Sequence, residues 1–237
     1  MPNYQIGVTI GCRNRPLHVL KAVALTWHRL GASRINIVNT AELAIEPNIP
    51  NCEVLNVPMS EWRPGLVRNI GIMELWTPYI ITANADIIPV NMDIQKLAER
   101  LSAGGKIYYG PPDDYYWMTP EQSHSTVNDI LLGALPSQVP DASWRKEEPI
   151  PCIQEGAFLM ARRETLFDAG LYNNRMRNWG IEDTEFGIRL QRLYHVRRLT
   201  PPGELWHCWH EQAACGGRND ESVAEMNRML AQFGLKR

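Results

Sequence analysis

The chain has 237 residues, 44% hydrophobic and 21% charged, a globular composition that excludes disordered, collagen-like and fibrous classes. Its formal net charge of −2, from 24 basic and 26 acidic residues, lacks the basic excess of a polyanion binder, so stable nucleic-acid binding is not expected. Five cysteines, few and odd in number, fit reduced thiols in a cytoplasmic protein; no secretory signal pattern opens the chain, and no apolar run approaches the roughly 20 residues of a membrane span.

Taken in order, Tyr4, Ile6, Val8 and Ile10 alternate with polar or small residues and predict a strand. Pro16 then opens a helix with an apolar stripe of Leu17, Leu20, Ala24 and Trp27, closed by Gly31. Short strands are predicted at Ile35–Val38 and Val54–Val57. Pro64 opens a second helix with Leu66, Ile70 and Met73 on one face. Tyr79–Ile81 forms a strand running into Asn84-Ala85-Asp86, and a helix through Ile94, Leu97 and Leu101 ends at Gly104-Gly105. A strand follows at Ile107–Tyr109. This alternation predicts a mostly parallel sheet with helices on both faces.

The stretch 110–151 is rich in Pro, Asp, Ser and Trp and reads as a long loop whose only apolar-periodic piece is Val127–Leu135. Beyond it come an apolar strand at Gly156–Ala161, a helix at Arg163–Ala169, a helix at Glu182–Tyr194 and a final helix from about Asp220 to Phe233. Eight tryptophans, twice the number of phenylalanines, are unusual. Trp27 and Trp76 read as core, whereas Trp117, Trp144, Trp179 and Trp206 sit in polar or Pro/Gly-rich surroundings.

Four segments hold side chains suited to chemistry. Asn84-Ala85-Asp86 closes an apolar strand, where open α/β sheets bind ligands; Asp86 there can hold a divalent cation, although Asn and Asp also favour ordinary turns. Trp179-Gly180-Ile181-Glu182-Asp183 opens a helix whose first turn favours carboxylates, and a carboxylate fixed there can take a proton from a hydroxyl. Trp206-His207-Cys208-Trp209-His210 offers imidazoles; with Cys208 and Cys215 the spacing is wrong for a zinc finger, so one histidine completing a carboxylate-anchored metal site is the better reading, beside that of two half-buried histidines. Gly11-Cys12-Arg13-Asn14-Arg15 lies between the first strand and first helix, a nucleotide-binding position, without the glycine spacing of a dinucleotide or P-loop motif. Arg68-Asn69-Ile70-Gly71 is a second basic turn.

In this order the segments resemble the GT-A glycosyltransferases, closest to family 2 enzymes and the catalytic half of the β-1,4-galactosyltransferases, from Thr9 to about His210. The family's Arg-Asn-Arg turn is similar to Arg13-Asn14-Arg15, its Arg-Asn-x-Gly helix to Arg68–Gly71, and its Asp-x-Asp motif to Asn84-Ala85-Asp86. Its strand beneath the donor sugar is similar to Glu155-Gly156-Ala157-Phe158, and its Trp-Gly-x-Glu-Asp motif to Trp179–Asp183. The late metal-binding His matches His207 or His210.

The resemblance implies a single GT-A (Rossmann-like) domain, residues 1–109 forming a nucleotide-binding half and 110–237 an acceptor and catalytic half. It implies an inverting transfer from a UDP-sugar to a hydroxyl of a glycan, lipid-linked or other acceptor. Nucleotide contacts fall on Thr9, Gly11, Arg13, Arg15, Arg68, Asn69, Asn84 and Ala85. Asp86 with His210 or His207 would hold Mn²⁺ or Mg²⁺. Asp183 would act as base with Glu182 on a sugar hydroxyl, and Glu155, Gly156, Trp179, Gly180 and Trp117 would meet donor or acceptor sugar. One departure stands out: the first acid of the metal motif is Asn84, which can still hydrogen-bond ribose but lowers the charge at the site. A retaining transferase, a nucleotidyltransferase of the same fold and an inactive sugar- or nucleotide-binding relative are the alternatives. The Trp-rich segments imply that Trp117, Trp144 and Trp179 line one acceptor pocket.

Overall fold

The structure is a computed structural model that describes residues 3–46, 48–136, 156–177, 181–210, 220–232 and 234, with the backbone of 145–146. Its centre is a seven-stranded sheet. The strands are β1 (Ile6–Cys12), β2 (Arg34–Asn39), β3 (Cys52–Asn56), β4 (Tyr79–Asn84), β6 (Ile107–Tyr109), β9 (Phe158–Arg162) and β10 (Arg197–Leu199), in the order β10-β6-β9-β4-β1-β2-β3. β1 pairs in parallel with β2 and β4, β2 with β3, and β6 with β10. β9 runs antiparallel between β4 and β6, so the sheet is mixed, and a strand from beyond residue 110 is built into the sheet of the first half.

Side-chain alternation covers both faces. Val8, Ile81, Phe158, Met160, Ile107 and Tyr109 share one core with α1 (Leu17–Arg29) and α3 (Ile94–Ser102). Ile80, Leu159, Ala161 and Tyr108 share the other with α2 (Pro64–Glu74), α5 (Arg163–Asp168) and α6 (Glu182–Arg192). Trp27 is fully buried and stacks on Phe158, ring centroids 6.1 Å apart. A smaller cluster of Met176, Ile181, Met226, Met229 and Leu230 docks α7 (Asp220–Gln232).

Within 110–151, the described residues 110–136 and 145–146 hold regular elements where a loop is expected. β7 (Asp114–Trp117) and α4 (Pro120–Leu131) lie there, and Thr119 and Gln122 form a reciprocal capping box that starts α4. With β5 (Ile87–Val90), β8 (Arg145–Lys146) and β11 (Glu204–His207), β7 makes a second sheet, β5-β11-β7-β8. Pro89 fits there because β5 is an edge strand.

Two expectations about packing change. α2 does not bury Leu66, Ile70 and Met73; its inner face is Pro64, Gly65, Val67, Arg68, Asn69, Gly71 and Ile72, and Met73 is exposed. The glycines explain the close approach: a Cβ on Gly71 would strike the Thr9 side chain, and one on Gly65 the Asn173 carbonyl. Trp76 is not core. The helix ends at Leu75, whose extended backbone turns the next residue outward, leaving Trp76 77% exposed beneath the Arg163 guanidinium. Among the described residues no helix is long and apolar enough to cross a membrane, and Cys12, Cys52 and Cys208 are free thiols.

Candidate functional site

The parallel strands β1 and β4 end side by side, Gly11 opposite Asn84, so the Arg13–Arg15 turn and Asn84–Asp86 leave the sheet together at the carboxyl ends of these strands. Asn14 has φ 54°, a left-handed turn that short polar residues tolerate. The two arginines reach different partners: Arg13 Nη2 donates to the Ser60 carbonyl at 3.2 Å, and Arg15 Nη2 meets Asp86 Oδ2 at 2.6 Å.

The second sheet brings the late histidines to Asp86. β11 pairs antiparallel with β5, His207 opposite Ile87, and the Cys208 N–H donates to the Asp86 carbonyl at 2.7 Å. His207 Nε2 lies 3.6 Å from Asp86 Oδ1, and His210 Nε2 lies 3.3 Å from Oδ2. β7 runs beside β11 with Trp117 opposite His207, and their rings are 3.7 Å apart. This scaffold was not anticipated from sequence; the Ile87-Ile88-Pro89-Val90 run and the aromatic run Tyr115-Tyr116-Trp117 carried a strand signal.

One ligand atom each from Asp86, His207 and His210 lies within 4.8 Å of the others. Neighbouring ligands about 2.1 Å from an octahedral cation stand ~3 Å apart, close to the two contacts above. Asp86 Oδ1 is buried without a hydrogen bond among the described residues, as suits a carboxylate that takes a cation. Burial lowers His207 to about 4, although Asp86 pulls it upward, so its imidazole is neutral and has a lone pair to give at neutral pH. Burial raises the Asp86 carboxyl, but His210, His207 and the Arg15 guanidinium around it together hold it at about 2. The residues therefore fit a divalent cation. Cys208 does not belong to the cluster: it is buried, and burial pushes its thiol up to about 12.

A second cluster forms at the start of α6. Arg68, on the inner face of α2, donates from Nη2 to Asn84 Oδ1 at 2.9 Å and to the Gly156 carbonyl at 3.0 Å. Its Nε stands 3.5 Å from Glu182 Oε1. The antiparallel register, Ala83 opposite Phe158, carries Gly156 past the end of β4. There its N–H donates to Asp183 Oδ2 at 3.0 Å, while the Thr184 N–H donates to Oδ1 at 2.7 Å. A Cβ at Gly156 would come within 2.5 Å of Asp183 Oδ2, so this approach requires glycine. Burial and the neighbouring Asp183 raise Glu182 to about 7 against the opposing charge of Arg68. Burial also raises Asp183, opposed by Arg68 and the backbone donors. Glu185, the third acid of the turn, pairs with Arg189 at 2.7 Å and is structural.

The remaining expected residues are placed as follows. Asn69 exchanges two hydrogen bonds with the Tyr172 backbone, at 2.8 and 2.9 Å, and so ties α2 to the chain before α6. Thr9 is buried mid-strand under Gly71, Gly11 faces Val67 and Trp62, and Ala85 is buried in the first core. Trp206 is buried, its indole N–H on Glu204, and Trp209 is half-exposed. Trp144, Glu155, Trp179, Gly180 and Cys215 lie outside the described residues. A cavity of about 290 Å³ between Pro58, Ser60, Glu61, Arg63 and Leu66 adjoins Arg13 through Ser60.

No protein-family model matches the sequence, and no curated protein matches it significantly. Solved structures do. A crystal structure of GalNAc-T7 with UDP, GalNAc and Mn²⁺ is similar over 96% of this chain with a TM-score of 0.66 and 14% identity. The chain spans 48% of that protein's length. The catalytic domain of Drosophila beta1,4galactosyltransferase 7, in complex with xylobiose, is similar over 94% of this chain and 79% of its own, with a TM-score of 0.55 and 14% identity. The chain thus has the α/β fold of the GT-A glycosyltransferases, its mixed seven-stranded sheet carrying both clusters at the carboxyl end of its central strand β4.

Proposed function

We propose that the protein is a metal-assisted glycosyltransferase that moves a sugar from a UDP-sugar to a hydroxyl acceptor with inversion. The observation that carries this reading is the Asp86–His207–His210 cluster at the end of β4, flanked by the acid pair of α6, in a fold shared with glycosyltransferases. One of these neighbours holds UDP, GalNAc and Mn²⁺ and the other a saccharide. In this reading Asp86, His207 and His210 hold Mn²⁺ or Mg²⁺, which offsets the charge of the departing diphosphate. The cavity beside Arg13 takes the nucleobase, and Arg13 and Arg15 the remainder of the nucleotide.

Asp183 is the base. Its carboxylate is oriented by the Gly156 and Thr184 N–H groups, and each oxygen keeps a second lone pair for an acceptor hydroxyl. Burial raises its basicity, against the opposing charge of Arg68 and the backbone donors. Glu182, held toward Arg68, binds a sugar hydroxyl, and Trp179 and Trp117 offer aromatic faces to sugar. Cytoplasmic residence, expected from the few and odd cysteines, is part of the proposal.

The test begins with a panel of nucleotide sugars screened by thermal shift with Mn²⁺, followed by turnover of the best donor. Chelation abolishes turnover, and Asp183→Asn lowers it at least a thousandfold with UDP affinity retained. Full activity in Asp183→Asn removes the base assignment, and retention at the anomeric carbon, read by proton NMR, removes inversion.

A further inference from the structure

The Asp86 cluster contains a cation of its own. Arg15 Nη2 stands 2.6 Å from Asp86 Oδ2 and 3.1 Å from His210 Nε2. An arginine has only donors, so His210 Nε2 faces it as an acceptor. The lone pair of His210 and one oxygen of Asp86 are thus directed at a guanidinium nitrogen, and these are two of the three ligand atoms of the candidate metal site. A divalent ion bound there would place like charges within ~3–4 Å of each other, which is repulsive even with screening. Arg15 and the ion therefore compete for the same two atoms.

Arg15 also has somewhere to go. Its side chain is 27% exposed, while Asp86 is buried. It leaves the sheet on a turn whose preceding residue, Asn14, is exposed. The same turn carries Arg13 beside the open cavity at Ser60. A diphosphate bound along this edge would offer Arg15 anionic oxygens in exchange for Asp86, and guanidinium pairs well with phosphate.

We infer that Arg15 is a built-in counter-ion of the Asp86 site, which it occupies until a nucleoside diphosphate draws it away, so that metal and diphosphate bind as a coupled pair. This inference rests on the metal-assisted reading above. Arg15 acts here as a positioning residue: it withholds Asp86 and His210 from the ion without nucleotide and joins the nucleotide when both are bound. By linkage, the factor by which UDP tightens Mn²⁺ equals the factor by which Mn²⁺ tightens UDP.

The test follows free Mn²⁺ by its electron paramagnetic resonance signal during titration of the full chain, without and with saturating UDP, corrected for Mn²⁺ bound by UDP in solution. Without UDP, Arg15→Ala and Arg15→Gln bind Mn²⁺ about tenfold more tightly than the unmodified protein, within the usual span of coupling between sites. Arg13→Ala removes one charge from the same turn without touching Asp86 and leaves Mn²⁺ affinity unchanged. With UDP, the advantage of the Arg15 variants shrinks toward unity. The inference is overturned if neither Arg15 variant binds Mn²⁺ more tightly than the unmodified protein, or if Arg13→Ala tightens it equally, since a general charge effect would then suffice. Asp86→Asn separates the two levels. Loss of Mn²⁺ binding in it supports the metal site whatever Arg15 does, and undiminished binding removes the metal site and this inference together.

Discussion

Replacing Arg68 by Met tests whether one guanidinium holds both the end of β4 and the acid pair of α6. Met keeps most of the stem volume, so the change removes charge and donors more than packing. It strands the Asn84 amide oxygen, the Gly156 carbonyl and the Glu182 carboxylate, which Arg68 now serves at 2.9, 3.0 and 3.5 Å. Arg68 and Glu182 side chains are only 8% and 7% exposed, and removing one partner of a buried pair costs about 3–5 kcal/mol. Glu182 limits that cost because it can take a proton. Its carboxyl sits at about 7 in the folded chain against 4.5 unfolded, so between those values the folded state binds more protons and stability falls as pH rises. That decline levels off above about pH 7 in the unmodified protein. Without Arg68 the folded value rises further, and the decline continues at up to ~1.4 kcal/mol per pH unit. The penalty of Arg68→Met therefore changes by well under 1 kcal/mol between pH 6 and pH 7 and grows by about 1 kcal/mol from pH 7 to pH 8. Urea unfolding at the three pH values, with the slope m checked for constancy, measures it. Adding Glu182→Gln removes the pH-dependent part. An equal penalty at pH 6 and pH 8, or no recovery in the double variant, refutes the shared-guanidinium account.

Other outcomes follow from the same geometry. Gly156→Ala pushes a methyl against Asp183 Oδ2 and displaces the carboxylate; kcat falls about a hundredfold while UDP affinity, measured by calorimetry, holds within twofold. Trp117→Ala removes the ring packed 3.7 Å from His207, and Mn²⁺ affinity falls roughly tenfold, as for other groups that orient a metal ligand. Trp76→Ala, by contrast, changes unfolding free energy by no more than about 0.5 kcal/mol, because the ring is exposed beneath the Arg163 guanidinium.

How far the sequence could be read depended on whether a segment was shaped by ordinary burial. β1, β4 and α1 follow period-two or helical rules, and their cores match them. α2 does not, because its inner face carries Arg68 and Asn69, whose partners on Asn84, Gly156 and Tyr172 are far away in sequence. A periodicity argument assigns such a polar face to solvent and selects Leu66, Ile70 and Met73 instead. The second sheet was hidden for a related reason. β5 and β11 are each four residues long, and their pairing joins positions more than a hundred residues apart. That pairing brings His207 beside Asp86, so the presence of two histidines was legible but their convergence on one carboxylate was not. The capping box at Thr119 is a local signal, set among Pro and Ser residues that equally suit a loop.

Asn84 ties these observations together. With an amide at this position, the strand end offers Arg68 a dipole rather than a charge, and the counter-charge comes from Glu182 across the sheet edge. Two residues later Asp86 supplies the charge that Arg15 balances. Each cluster is thus compensated by its own arginine, yet the arginine of the acid pair is also the one that holds the end of β4. Interactions among buried charges are weakly screened. A negative group arriving at Asn84 must therefore alter how strongly Arg68 restrains Glu182 and Asp183, because among the described residues no other guanidinium contacts both Asn84 and Glu182. An acid at position 84 would give Arg68 a fixed local partner and weaken that link. The amide keeps the guanidinium shared between the strand end and the acid pair.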